Sequence, residues 1–201
     1  MCKCPFGNES QKYWDNRYNY FSKFDEGIQI DAQGLVSVTP EKIALKQASR
    51  IKVESIVDGL GGVGGNLIAF AKTFNKVYFI ENDPVRFNMA KNNAKIYGVE
   101  DKITFICGNF FEEIKKIKSD TVFLDPSWGG ANYRNLEKFK LNDFNPNCDE
   151  ILNLLNNKFK TIVLKIPLNF DLNEINKYQK DFELYNELFD EKVIMRTIYI
   201  K

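Results

Sequence analysis

Glycine-rich loops and the acids beside them are the residues of this 201-residue chain best suited to chemistry. The segment VDGLGGVGGN, residues 57–66, contains a GxGxxG pattern at Gly59, Gly61 and Gly64. Glycines at this spacing let a loop approach a nucleotide closely, provided that a strand precedes the loop and a helix follows it. Glu81, which ends the next strand-like run, is placed to accept hydrogen bonds from ribose hydroxyls.

Asp58 distinguishes between the two cofactor classes that bind to such a loop. A dinucleotide presents a pyrophosphate to the loop, whereas S-adenosylmethionine presents a cationic amino-acid end. The carboxylate of Asp58, immediately before Gly59, repels a pyrophosphate and attracts an ammonium group. The loop therefore favours S-adenosylmethionine, and a nicotinamide-dependent oxidoreductase stays open as an alternative.

A second candidate segment is DPSWGG, residues 125–130, which continues directly from the strand-like run TVFLD. Ligands of open α/β sheets bind at the carboxyl ends of strands, so this is a candidate catalytic loop. The ring of Trp128 can stack on a planar base, and the carbonyl of Pro126 can accept a hydrogen bond from an exocyclic amine. Asp125, the only acid in the loop, is placed to orient the amine or to accept its proton. A tight turn with Trp128 packed in the core is the alternative.

Composition excludes several other chemistries. The chain has no histidine, which removes Ser-His-Asp and Cys-His nucleophile pairs and histidine-ligated metals. Four cysteines without CxxC spacing predict reduced thiols and no metal site. Lys+Arg 28 against Asp+Glu 27, with no basic segment, argues against a protein that tracks long nucleic acid. With neither a signal peptide nor a membrane-spanning apolar run, we expect a soluble intracellular protein, nuclear or cytoplasmic.

Alternating strand and helix patterns must position these residues, and they are typical of a mostly parallel α/β sheet covered by helices. Leu67, Phe70, Ala71 and Phe74 follow the spacing of an amphipathic helix. Further helices are predicted from Pro84 to Gly98, over 109–118 and over 171–180. The last two strand patterns predict an antiparallel hairpin. The predicted strands cover residues 53–58, 77–81, 103–107, 121–125, 161–166, 182–189 and 192–200.

Residues 1–50 differ from the alternating core, residues 51–201, and are predicted to be a small helical N-terminal extension that contributes to the cofactor and substrate sites. One helix in it has a clear predicted start. Thr39 is expected to be its N-cap, with Pro40 at the first helical position and Glu41 in the first turn.

Taken together and in this order, the motifs resemble the trimethylguanosine synthase family, whose members methylate the 2-amino group of the 7-methylguanosine RNA cap. The similarity runs from about Lys12 to Phe170. It implies a Rossmann-like class I S-adenosylmethionine-dependent methyltransferase fold, a capped RNA end as partner, and a monomer without a long N-terminal extension. The segments that carry it are KYWDNRYNYFSKFDEGIQID, VTPEKIA, VDGLGGVGGN, NNAKIYGVEDKITFICGNF and DPSWGG.

The resemblance also implies roles for two sets of residues. Trp128 would stack on the 7-methylguanine ring, whose positive charge adds a cation–π attraction of about 1 to 2 kcal/mol. A turn hydrogen bond for Ser37, an exposed helix position for Asn93 and ordinary surface positions for Lys12 and Tyr133 are the alternatives. The set that would hold the cofactor is Thr39, Asp58, Glu81, Asn109 and Phe110. The set that would hold the cap is Lys12, Ser37, Asn93, Trp128 and Tyr133, the last with Lys12 at the phosphates.

Three positions depart from the family pattern. Ser127 replaces a second proline and is expected to loosen the turn, and Asn109 stands where an acid is common. Leu168 replaces an arginine that reaches the cap phosphates, and Lys165 could substitute for it only in part. These departures leave two rival functions open: methylation of an amine on another RNA or DNA base, and cap binding without catalysis.

Overall fold

A mixed α/β fold is present in the computed structural model of the protein, which describes residues 3–201. Its strands are β1 (Ser55–Asp58), β2 (Lys76–Glu81), β3 (Ile103–Cys107), β4 (Thr121–Leu124), β5 (Thr161–Ile166), β6 (Phe182–Phe189) and β7 (Lys192–Ile200). They form a seven-stranded sheet in the order β3-β2-β1-β4-β5-β7-β6. The sheet is mostly parallel, and its C-terminal hairpin, β6 with β7, is antiparallel, as predicted.

In the sequence, the α-helices precede these strands or lie between them. The N-terminal ones are α1 (Gln11–Asp15), α2 (Arg17–Tyr20), α3 (Ala32–Ser37) and α4 (Glu41–Ser49). The others are α5 (Gly65–Thr73), α6 (Pro84–Ile96), α7 (Phe110–Glu113), α8 (Cys148–Leu155) and α9 (Asn173–Asn176). None of the helices described is long and apolar enough to cross a lipid bilayer.

The first of two compact units ends at Ile117 and contains the glycine loop. Within it, β2 pairs in parallel with both β1 and β3. The start of α6 agrees with its sequence, because the Asp83 carboxylate accepts hydrogen bonds from the first turn and Pro84 occupies a position that needs no N–H donor. Gly98, at φ +65°, follows the helix in the left-handed conformation that glycine adopts without strain.

An apolar cluster joins the N-terminal extension to the glycine loop inside this unit. Phe21 from the extension is buried with Val63 of the loop and Ile68 of α5. Burying a large side chain such as phenylalanine stabilises a fold by about 1.5 to 3 kcal/mol. The cluster therefore holds the extension beside the loop. Partly buried residues pack against it: Tyr20, Phe24, Ile28, Ile30, Val38, Met89 and Tyr97.

The second compact unit spans Lys118–Lys201. Here β4 and β5 are parallel, β7 pairs antiparallel with β5, and β6 pairs antiparallel with β7. The strands β4 and β5 are buried along almost their whole length, as expected for parallel strands covered on both faces. The predicted domain boundary between residues 50 and 51 stays a prediction.

Helix ends are where the sequence prediction was wrong. Pro40, and not Thr39, is the N-cap of α4, because the Pro40 carbonyl accepts the hydrogen bonds of Ile43 and Ala44. The predicted helix over 109–118 is α7 followed by a 3-10 turn at Ile114–Lys116. The predicted helix over 171–180 shortens to α9, since backbone bonds to Phe139 hold residues 169 and 171 and Gln179 has φ +50°.

Gly61 lies against the buried ring of Phe79, so we expect Gly61→Ala to destabilise the protein. A Cβ atom at position 61 would lie 1.9 Å from Phe79 Cε2, and overpacking of this kind costs about 1 to 3 kcal/mol. Urea unfolding measures the loss. Phe79→Leu removes part of the ring, so the double variant should lose less stability than the sum of the single variants, and strict additivity would contradict the contact.

Candidate active site

Asp58 is the last residue of β1 and only 1% exposed. It precedes the glycine loop, in which Gly62 and Gly64 have φ +55° and +89° and Gly64 is the N-cap of α5. Such angles favour glycine, so the loop sequence and its conformation agree. The loop thus places a buried carboxylate just ahead of a helix N-terminus.

Glu81 ends β2 and is bound to backbone on both sides. Its Oε2 accepts a hydrogen bond of 2.8 Å from Gly62 N, and its Oε1 accepts one of 2.9 Å from Asp83 N. The carboxylate therefore connects the glycine loop to the start of α6. Each oxygen has a second lone pair, so the same group can also accept a bond from a ribose hydroxyl.

Thr39 is buried between α3 and α4 and lies close to the start of α5. A Cβ atom added to Gly65 would be 3.6 Å from the Thr39 carbonyl oxygen. The structure therefore places Thr39, Asp58 and Glu81 beside the same loop, and their contact with the cofactor stays a prediction.

Asn109 and Phe110 follow β3. The Asn109 side chain accepts a hydrogen bond of 2.8 Å from Phe111 N and so caps α7. Phe110 is buried and packs edge-to-face on Phe111. An amide at position 109 thus has a helix-capping role that an acid would also fill.

Asn93, on α6, is fully buried. Its Oδ1 accepts a 2.8 Å hydrogen bond from Gln29 N, and its Nδ2 donates to the carbonyls of Gln29 and Val63 at 2.8 and 2.9 Å. The exposed-helix alternative is therefore wrong. The amide fixes the segment before α3 to the glycine loop, and its contact with the cap stays a prediction.

Lys12 and Ser37 lie on the exposed side of the N-terminal helices. Lys12 Nζ is 4.8 Å from the ring centroid of Tyr13. Ser37 Oγ donates a hydrogen bond of 2.8 Å to the Gln33 carbonyl within α3, which is the turn bond considered as an alternative to cap contact.

The first unit offers a donor set that fits S-adenosylmethionine. The buried Asp58 carboxylate suits an ammonium group, and Glu81 suits ribose hydroxyls. The same acid beside the loop is unfavourable for a pyrophosphate. Among residues 3–201, no group of three or more metal-ligating side chains converges on one point.

Ser127 does not loosen the candidate catalytic loop, which corrects the prediction. Its N–H donates to the Asn145 carbonyl at 3.0 Å, and its carbonyl accepts from Asn145 N at 2.9 Å. A proline at this position would lack that N–H. The turn beside the buried Pro126 is therefore held by a two-bond bridge instead of a second pyrrolidine ring.

Trp128 is partly buried and packs against Tyr133 in an edge-to-face arrangement, with ring centroids 5.0 Å apart and planes at 80°. Tyr133 in turn packs edge-to-face on the buried Phe139. Within the described chain, the shielded indole Nε1 of Trp128 has no hydrogen-bond acceptor. The two rings predicted to bind the cap thus lie together, and their orientation is set by the core.

Lys165 is the residue whose position the sequence did not reveal. Its Nζ lies 2.6 Å from Asp125 Oδ2 and 5.7 Å from the ring centroid of Trp128, and its side chain is only 4% exposed. Lys165 therefore does not extend toward solvent, and it is not a substitute for the missing phosphate-binding arginine. The parallel register of β4 and β5, which pairs Leu124 with Leu164, explains why Asp125 and Lys165 meet.

Arg196 is a second missed residue. Leu168, 42% exposed, lies in the turn after β5, and the Arg196 guanidinium donates to its carbonyl at 3.2 Å. The strand register pairs Arg196 with Ile166, a contact that the antiparallel pairing of β7 with β5 creates. Asn169 donates to the carbonyls of Tyr133 and Leu136 at 3.0 and 2.8 Å, which connects this turn to the Tyr133 segment.

Cys4, Cys107 and Cys148 are free thiols, and Cys2 lies outside the described residues. Burial raises the pKa of the Cys148 thiol well above its ordinary value, which keeps the thiol protonated at neutral pH.

The sheet order, the glycine loop with its two acids and the strand-end DPSW segment define a Rossmann-like class I S-adenosylmethionine-dependent methyltransferase. Comparison with known proteins agrees. A protein of Porphyromonas gingivalis W83 assigned as a methyltransferase superposes with a TM-score of 0.77 at 17% identity, covering 100% of this chain and 52% of that one. A likeness at this identity concerns the fold alone.

The chain belongs to the RNA cap guanine-N2 methyltransferase family, whose model matches residues 53–195. Trimethylguanosine synthase of Schizosaccharomyces pombe is 40% identical over 185 residues, which cover 87% of this chain and 77% of that protein. The Saccharomyces cerevisiae trimethylguanosine synthase is 33% identical over 180 residues, covering 83% of this chain and 57% of that protein. These matches confirm the family inferred from the motifs.

Proposed function

We propose that this protein transfers a methyl group from S-adenosylmethionine to the exocyclic 2-amino group of the 7-methylguanosine cap of RNA. The observation that carries the proposal is the Asp125-Pro126-Ser127-Trp128 loop at the carboxyl end of β4, with Trp128 oriented by Tyr133. Membership of the cap guanine-N2 methyltransferase family supports the same reaction. When bound, S-adenosylmethionine supplies a methyl group on a sulfonium.

Residues of the first unit would hold this cofactor. Asp58 would bind its ammonium group, Glu81 its ribose hydroxyls and Phe110 its adenine ring. The backbone of Gly59, Gly61 and Thr39 would line the cofactor site. The Asn109 side chain would fix the start of α7. Glu81 accepts a hydrogen bond from Gly62 N, so the same carboxylate also holds the glycine loop that would receive the cofactor.

Residues of the second unit would hold the amine. A 7-methylguanine ring stacked on Trp128 would present its 2-amino group to the strand end, where the Pro126 carbonyl accepts one N–H bond. The Asp125 carboxylate would orient the other N–H. Loss of methyl from a sulfonium disperses charge, so alignment and exclusion of water lower the barrier without a strong base. The surplus proton can then leave to water.

The cap phosphates would meet Lys12 and Tyr133, as the resemblance implies. Arg196 is proposed as a further contact to the phosphates, since its guanidinium lies at the turn of Leu168. Lys138 is not proposed for this role, because its Nζ pairs with Asp171 Oδ2 at 3.0 Å. That hydrogen bond lowers the pKa of the Asp171 carboxyl group. We expect the protein to act as a monomer, in the nucleus or the cytoplasm.

Mass spectrometry of a cap analogue tests the proposal directly. After incubation with S-adenosylmethionine and the protein, a 7-methylguanosine cap analogue should gain one or two methyl masses on the guanine base. The unmethylated guanosine cap and uncapped RNA should gain none. Methylation of uncapped RNA or of DNA at a similar rate would support another amine substrate, and cap binding without methylation would support a binding module.

A further inference from the structure

The ion pair between Lys165 and Asp125 stands out because of where it lies. It joins the carboxyl ends of two adjacent parallel strands, and the Lys165 side chain is 4% exposed against 22% for Asp125. A buried ammonium group is costly unless it is paired and hydrogen-bonded. The fold therefore accommodates a cation directly beneath the loop proposed to bind the substrate amine.

The same cation faces an aromatic ring. Lys165 Nζ is 5.7 Å from the Trp128 centroid, within the distance at which a cation is attracted to an indole face. Lys165 thus forms an ion pair with Asp125 and a cation–π interaction with the ring of Trp128. These are the two side chains on this loop that the proposed reaction needs. The residue of β7 that pairs with Lys165 is Thr197, whose hydroxyl donates a hydrogen bond of 2.9 Å to the Glu187 carboxylate.

We infer that Lys165 is a positioning residue for methyl transfer: its ammonium group holds the Asp125 carboxylate in one orientation and fixes the Trp128 ring beside it. The inference rests on the proposed function. An ammonium group at 2.6 Å stabilises an ionised carboxylate, and an ionised carboxylate accepts hydrogen bonds and donates none. Asp125 is therefore kept as an acceptor that orients the 2-amino group.

Lys165→Met tests this role, since methionine keeps an unbranched apolar stem and removes the charge. We expect kcat for cap methylation to fall by roughly 10- to 100-fold, as small misplacements at a reacting centre do, while the Kd for S-adenosylmethionine stays within about twofold. The chain contains a matched control. Lys160 pairs with Asp120 at 2.7 Å at the amino ends of the same two strands, where the pair is exposed, so Lys160→Met should leave kcat unchanged.

A double variant separates positioning from stability. Asp125→Asn/Lys165→Met removes both charges, so thermal stability should recover relative to Lys165→Met. If Lys165 acts through Asp125, kcat stays as low as in Asp125→Asn alone. Recovery of kcat to the wild-type value, or equal kcat for Lys165→Met and Lys160→Met, would show that the pair is merely structural.

A spectroscopic readout keeps this test independent of turnover. The chain has 2 Trp residues, so Trp14→Phe leaves Trp128 as the only indole. In that background, Lys165→Met should shift the Trp128 emission and Lys160→Met should not; identical spectra would contradict the ring contact. If the wild-type protein fails to methylate any cap but the emission shifts, the proposed function is wrong and the contact stands.

Discussion

Trp128→Ala is expected to lower kcat/KM for a 7-methylguanosine cap by on the order of 100-fold or more. Stacking of a base on an aromatic ring contributes about 1 to 3 kcal/mol, and the charge of 7-methylguanine adds a cation–π attraction of up to about 2 kcal/mol. Trp128 is not among the residues proposed to hold the cofactor, so calorimetry should give an S-adenosylmethionine Kd within about twofold of the wild type. Initial rates with a cap analogue measure the loss.

Two aromatic variants are the controls for this prediction. Trp128→Phe keeps a stacking face but weakens the attraction for a cation, so it should weaken binding of the methylated cap more than binding of the unmethylated guanosine cap. Trp14→Phe changes the other tryptophan, which packs on Phe6 and Phe24, and should leave cap methylation nearly intact. Near-normal turnover in Trp128→Ala would rule out the stacking role.

Asp58→Asn should raise the Kd for S-adenosylmethionine by at least about 30-fold. The change keeps the size of the side chain but removes a buried negative charge, and truncating one partner of such a pair costs about 2 kcal/mol or more. Isothermal calorimetry without RNA measures this Kd directly. We expect cap affinity, followed by tryptophan fluorescence, to change little.

The control variant is an Asp→Asn substitution at a different position of the chain. Asp101 is an exposed residue in the turn before β3, and Asp101→Asn should bind the cofactor like the wild type. Circular dichroism and thermal unfolding establish that Asp58→Asn is folded. An undiminished affinity in folded Asp58→Asn would refute the assignment of the glycine loop as the cofactor site.

The strands were the most predictable part of this fold. The sequence predicted β3, β5, β6 and β7 with their observed bounds. For β5 the signal is a continuous apolar run, as expected of a parallel strand buried on both faces. The Asp83-Pro84 start of α6 was equally readable, since capping is decided by adjacent residues. Local chemistry thus predicted the strands and the start of α6, whereas α8 was not predicted. The motifs predicted the family.

Contacts set by strand register were not predictable. Lys165 and Asp125 are 40 residues apart in the chain, and only the alignment of Leu124 with Leu164 brings them together. Arg196 reaches the turn of Leu168 for the same reason, through a hairpin whose register no motif specifies. The prediction that Thr39 is an N-cap was also wrong. Threonine favours that position, but the N-cap of α4 is the neighbouring Pro40, whose carbonyl accepts the first hydrogen bonds of the helix. The roles assigned to single site residues stay predictions.

The position of β7 between β5 and β6 determines the order in which this part of the sheet can form. A ribosome makes β6 before β7, so β6 has no neighbour in the sheet when it first emerges. Hairpins are local and form in about 1 to 10 μs, so β6 and β7 can pair with each other before they reach β5. Strand β5 carries Lys165, and its outer edge is covered only when this hairpin docks. Strand β5 therefore completes its pairing only after β7 has been made.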